Sequence, residues 1–166
     1  MVHRDLAGEH VDVAIRIGAV KGDQLIVRRI GTVEMLLFTA PTYLQRHGEP
    51  EQPIDLVWHG CIILPAPGRE ARWQLLRDST AMEVTLRGRF AANNLGLMRP
   101  LAERGSGIAV LSQALVRDPV NTGRLVQVLP DWTLPPLPAH AAMSSRLQSA
   151  SVRTFVDFLA ERLLLV

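Results

Sequence analysis

The chain has 166 residues, of which 48% are hydrophobic and 20% charged, and its formal net charge is +2. That length fits one domain, or two small lobes with crossing connections, with enough apolar residues for a sizeable core. The weak, scattered positive charge forms no basic tail or stripe of the kind a nucleic-acid groove needs, and no segment reaches the roughly 20 apolar residues that span a bilayer.

In chain order, Leu6–His10 reads as a helix end or loop. Val11–Ile17 is a near-continuous apolar run closed by Gly18 and reads as a buried parallel strand. Gly22 and Asp23 mark a turn. Leu25–Ile30 and Val33–Thr39 read as two strand segments broken at Gly31. Pro41 opens a short helix through Tyr43 and Leu44 that Gly48 ends, and 49–53 is a polar connection. Ile54–Trp58 reads as one helical turn, Cys61–Leu64 as a short strand and Pro65–Glu70 as a loop. Trp73–Leu76 and Ala81–Phe90 predict a hairpin turning at Asp78 and Ser79.

The most informative stretch follows, RGRFAANNLGLMRPLAERGSGIAVL at Arg87–Leu111. Asn93 and Asn94 are good N-caps, because a short side-chain oxygen can accept from a free N–H of the first helical turn. Leu95, Met98, Leu101 and Ala102 recur at helical spacing. Gly105 suits the left-handed end of that helix, and Ile108–Leu111 suits a strand covered on both faces. A strand-helix-strand unit of this kind aims a helix N-terminus at the space beside the sheet, where anions gain from the dipole and the free N–H groups. Beyond it, Gln113–Val116 predicts a short helix, Asp118–Gly123 a loop, Arg124–Leu129 a strand and Pro130–Pro138 a proline-rich crossing. Ala139–Met143 predicts a strand. Ser149 or Ser151 caps a final helix on which Val152, Phe155, Val156, Leu159 and Leu163 form one apolar stripe. Strands alternating with helices give an α/β class.

Cys61 is the sole cysteine, so no internal disulfide can form, and its apolar run marks it as a small core residue. Trp58, Trp73 and Trp132 read as core or lobe-junction residues. Histidines at 3, 10, 47, 59 and 140 show no ligand spacing, so no metal and no cofactor are expected. Neither a nucleophile elbow nor an acid-base pair stands out, which argues against an enzyme. MVHRDLAGEHVDVAIRIG has no apolar region behind a basic start, so no signal peptide is read there and a cytoplasmic location is expected.

Seven motifs then stand in order: DVAIRIG at Asp12–Gly18, APTYLQRHGEPEQPIDL at Ala40–Leu56, the pair His59 and Cys61, GRFAANN at Gly88–Asn94, ERGSGIAVL at Glu103–Leu111, GRLVQVLPDW at Gly123–Trp132 and VRTFVDFLAERL at Val152–Leu163. Together they resemble the C-terminal effector-binding domain of LysR-type transcriptional regulators, from about Asp5 to Leu164. Ala40 and Ser112 depart from the residues the family often has there. The resemblance implies a two-lobed fold like the type 2 periplasmic binding proteins, with lobe I at 1–40 and 136–166 and lobe II at 41–135. It implies a small effector bound between the lobes, expected to be an organic carboxylate. It further implies that an opening strand, first helix and second strand would precede Leu6, so the first lobe is expected to be incomplete. No helix-turn-helix is read in the chain; DNA contact and homo-oligomerisation are expected of complete regulators.

The candidate ligand contacts are Asn93 and Asn94 at the helix tip and Arg16, Ile17 and Gly18 at a strand end, where a guanidinium could clamp a carboxylate. Gly107, at a tight strand entry, and Ser144, with Ser145 after it, complete the set. Two other readings remain open. A periplasmic-type solute-binding module shares the fold but should follow a signal peptide, and a truncated remnant would bind nothing.

Overall fold

A computed structural model describes residues 11–20, 25–65, 67–144 and 149–163, with the side chains of Ser144 and Leu163 outside that description. Leu6–His10, Gly22, Asp23 and Ser145 lie outside the described residues. The chain divides into two compact units. One comprises Met1–Val33 and Pro136–Val166, the other Glu34–Pro135.

In the first unit, β1 (Val13–Ile17) pairs antiparallel with β8 (Leu134–Ser144), from Val13 opposite Met143 to Ile17 opposite Ala139. Strand β1 ends the strand order, and Ile15 is 47% exposed. The expectation of a buried parallel strand is therefore corrected: an apolar run reports hydrophobicity, whereas the partner strand decides direction and cover. Helix α4 (Ala150–Leu163) docks through Val152 and Val156 onto Ile30, Ala139, Ala141 and Met143. Each buried valine contributes about 1.5–2 kcal/mol. The Ser149 hydroxyl accepts from the Val152 N–H at 3.3 Å, as a cap should. The apolar stripe is only partly used, because Phe155 is 50% exposed.

Strand β2 runs unbroken over Leu25–Thr39, through Gly31. The expected break is absent because the flanking β-branched and apolar residues keep the strand extended on both sides of the glycine. In the second unit β2 pairs antiparallel with β6 (Ile108–Ser112) and β7 (Val126–Val128). Strand β3 (Cys61–Ile63) runs parallel to β6 and to β5 (Thr80–Ala91), and β4 (Glu70–Arg77) closes a hairpin on β5. Asp78, at φ 52, makes the hairpin turn, where Asp tolerates the left-handed region.

Both faces of this sheet are covered, and the period-2 alternation shows it. Leu36, Phe38, Ile62, Ala109 and Leu111 face α2 (Leu95–Glu103) and α3 (Gln113–Asn121), meeting Met98, Ala102 and Val116. Leu37, Cys61, Ile63 and Ile108 face the other way. There they meet Tyr43 of α1 (Pro41–His47), Leu56 of the 3-10 helix Pro53–Trp58, and Trp73, Leu75, Val84 and Leu86 of the hairpin.

Three further expectations change. Helix α3 continues through Pro119 where a loop was predicted. Pro119 and Val116 are the buried residues of this helix, and the Pro119 carbonyl accepts from the Arg124 and Leu125 N–H groups, so packing outweighs the missing N–H. Strand β8 starts at Leu134 inside the proline-rich crossing, which prolines permit where no ladder donor is needed. Trp58 is 87% exposed, in contrast to Trp73 and Trp132, which are buried.

Candidate functional site

The β5–α2 junction builds the helix tip the sequence suggested. Asn94 is extended at φ −138 and ψ 119, and its side-chain oxygen accepts from the Gly96 N–H at 2.7 Å. Its carbonyl accepts from the Leu97 and Met98 N–H groups at 3.0 and 3.1 Å. Asn94 is thus the cap. Asn93 beside it is exposed, and its side chain makes no hydrogen bond among the described residues. Met98 and Ala102 hold the helix on the sheet. An anion at this tip gains typically about 0.3–1 kcal/mol from the dipole when exposed.

At the far end of α2, Gly105 adopts φ 68 and the Ser106 N–H donates to the Leu101 carbonyl, which stops the helix as expected. Gly107, at φ 155, is buried, and its carbonyl accepts from the Thr39 hydroxyl at 2.9 Å. A Cβ on Gly107 would overlap the Gly60 carbonyl. Gly107 precedes β6, whereas Asn93 and Asn94 follow the C-terminal end of β5, and the parallel β3–β5 and β3–β6 pairs put those points at opposite ends of the strands. Gly107 therefore spaces two backbones and does not join the helix tip.

In the other unit, Arg16, Ile17 and Gly18 are consecutive at the end of β1. The Gly18 N–H donates to the Pro138 carbonyl at 2.8 Å, and the His140 Nδ1–H donates to the Gly18 carbonyl at 3.1 Å. Arg16 is half-buried and pairs across the ladder with His140. The antiparallel register places Ser144 at the opposite end of this pair, beyond Met143 and Val13. Four residues of strand separate it from His140, about 13 Å. Two groups thus stand together within their own units, Arg16–Ile17–Gly18 and Asn93–Asn94; Gly107 and Ser144 stand apart from them.

Sequence reasoning passed over the surroundings of Tyr43. Tyr43 and His47 are four residues apart on α1 and their rings stack, 4.3 Å between centroids. That spacing was the available signal. Burial pushes the Cys61 thiol up to about 12, which agrees with its reading as an inert core residue. A concavity of about 430 Å³ lies within the second unit against Glu49, Glu51, Arg77, Asp131 and Trp132. Arg77 sits 4.6 Å over the Trp132 ring. Asn93 and Asn94 do not line it. Among the described residues, no three His, Cys, Asp or Glu side chains gather as metal ligands, and no helix is long and apolar enough to cross a membrane.

The family model described as the LysR substrate binding domain matches residues 1–164. The regulator PtxR of Pseudomonas aeruginosa is 33% identical over 163 residues, covering 96% of this chain and 51% of that protein. DmlR of Escherichia coli is 30% identical over 158 residues, covering 95% and 52%. Both are named HTH-type transcriptional regulators. The regulatory domain of CrgA from Neisseria meningitidis superposes with a TM-score of 0.79 at 28% identity, covering 95% of this chain and 78% of that one. Full-length AphB of Vibrio cholerae superposes at 0.74 with 31% identity, covering 96% and 55%. The chain spans about half the length of the curated relatives it matches. The chain belongs to the LysR substrate-binding domain family, with that family's type 2 periplasmic-binding-like α/β fold.

Proposed function

We propose that this domain senses a small organic carboxylate and performs no chemistry on it. The α2 tip carries the reading: Asn94 is committed to capping, and exposed Asn93 stands beside the positive end of the dipole with its side chain uncommitted. A carboxylate there would accept from the first-turn N–H groups and from the Asn93 amide. Arg16, with Ile17 and Gly18, is the second candidate contact, able to clamp a carboxylate with two parallel N–H donors. Ser144 stays a weaker candidate, and Gly107 serves by spacing strands. The relatives' names favour a regulator over an enzyme or a transport protein. In this reading the domain works in the cytoplasm. DNA contact and oligomer assembly then belong to a whole regulator, through a helix-turn-helix module.

A ligand biases a regulator only by its differential affinity for two states, and 100-fold selectivity supplies about 2.7 kcal/mol. Calorimetric titration with aromatic and aliphatic carboxylates tests the proposal. Saturable heat that Asn93→Ala abolishes and Asn94→Ser retains is expected, since serine keeps the cap. Arg16→Gln tests the second contact separately. A silent panel sinks the reading.

A further inference from the structure

The second unit carries another gathering of polar groups at the N-terminal end of β3, opposite the end near Asn93. Tyr43 is fully buried, its hydroxyl accepts from the Gly60 N–H at 2.8 Å, and it meets His59 Nδ1 at 3.3 Å. With the phenol oxygen already accepting, its proton is directed to Nδ1, and this assigns the His59 proton to Nε2, pointing away from Tyr43. His47 lies flat on the Tyr43 ring and its Nδ1–H donates to the Tyr43 carbonyl at 3.0 Å. Its Nε2 becomes a donor only when the ring is charged.

Arg89 stands beside this group, its guanidinium 5.8 Å from the centroid of the Phe90 ring. Gly88 of β5 pairs with Cys61 of β3 and Phe90 pairs with Ile62, so Arg89 is an extra residue in the ladder. Such bulges re-aim a side chain. The Arg89 stem lies against Gly60, where a Cβ would come within 3.2 Å of its Cδ and 3.6 Å of the Tyr43 hydroxyl. The missing side chain at Gly60 thus leaves room for the arginine beside the tyrosine.

Asp55 is the one carboxylate among the groups acting on His59 and Tyr43. The groups acting on His59 and Tyr43 are His47 of α1, Asp55 of the 3-10 helix, Cys61 of β3 and Arg89 of β5. Cys61 stays a neutral thiol. The Asp55 carboxylate already accepts from the Glu51 and Gln52 N–H groups, each at 3.0 Å. Arg89 makes no ion pair among the described residues. Burial first, then His47, hold His59 below its ordinary value, with Asp55 opposing.

We propose that Arg89, His59 and His47 form an oxyanion-binding site on the second unit, separate from the α2 tip and strengthened as pH falls. The anion accepts from the guanidinium and from His59 Nε2–H, and it stabilises the imidazolium form of both histidines. Phosphate and carboxylate oxygens share that chemistry.

The test follows imidazole signals of the 166-residue chain by NMR, with inorganic phosphate or acetate added at ionic strength matched by sodium chloride. Saturating phosphate is expected to raise the His59 midpoint by about one pH unit. Arg89→Gln is expected to weaken phosphate binding by about tenfold at mildly acidic pH. A matching response to acetate assigns a carboxylate-tolerant site; a response to phosphate alone assigns a phosphoryl site. A His59 midpoint equal to the chloride control overturns the proposal, as does undiminished binding by Arg89→Gln. Asn93→Ala should leave the phosphate response intact, and its loss there would move the anion to the helix tip.

Discussion

The two units use the same ingredients and cover them differently. In the Glu34–Pro135 unit, strands β2, β3 and β6 bury both faces, one under α2 and α3, the other under α1 and the hairpin. In the other unit, among the described residues, a single cluster joins α4 to β8, and Ile15, Ile17, Ile26, Val27, Phe155 and Phe158 stay exposed. Hydrophobic sequence is therefore a necessary condition for a core position, and a second covering layer is the deciding one. Exposed apolar residues of this kind, beside an edge strand, favour self-association.

Substitutions can break or sharpen this contrast. The largest effect is expected at Gly107→Ala, which meets both an unfavourable φ and the Gly60 carbonyl. Denaturant unfolding should show a loss of roughly 3 kcal/mol or more. Next come paired truncations: Met98→Ala, in the doubly covered unit, should cost about 2–5 kcal/mol, whereas Phe155→Ala, at a half-exposed position, should cost less than about 1 kcal/mol. Equal losses would refute the contrast. Asn94→Ala should cost about 0.5–2 kcal/mol as a lost cap, and Asn94→Ser only a few tenths. Helical circular dichroism on heating reads both.

The smaller effects are electrostatic. His59 titrates below its ordinary value of 6.5 in the folded chain. Below pH 6.5 the unfolded chain takes up that proton first, so stability should decline as pH falls through the folded midpoint and then level off. His59→Gln should flatten that part of the pH-stability curve. The exposed pair Arg28–Asp157 joins β2 to α4, and Asp157→Asn should change stability by less than about 1 kcal/mol, vanishing in high salt.

Much of this was legible in the residues. The β5–α2–β6 unit was readable because cap, helical spacing and glycine stop agree at Asn94, Met98 and Gly105. The hairpin at Asp78 and the helix opened by Pro41 were readable for the same reason. What escaped depends on partners distant in sequence. Whether β1 is parallel or antiparallel is fixed by β8, more than 120 residues away. That direction separates Ser144 from Arg16. Pro119 and the prolines of β8 looked like breakers because their local cost is visible and the packing that offsets it is not. Trp58 looked like a core residue by type alone. Arg89 looked like an ordinary strand residue until the register with β3 made it a bulge.

Cys61 has a consequence of its own. It is the sole cysteine in the chain, it is completely enclosed, and its thiol is pushed up to about 12. Maleimide-type reagents react with thiolate at an accessible sulfur, so modification must wait for the surrounding sheet to come apart. The rate of mass gain in excess reagent then becomes a clock for opening of that sheet, built into the native protein without any engineered label.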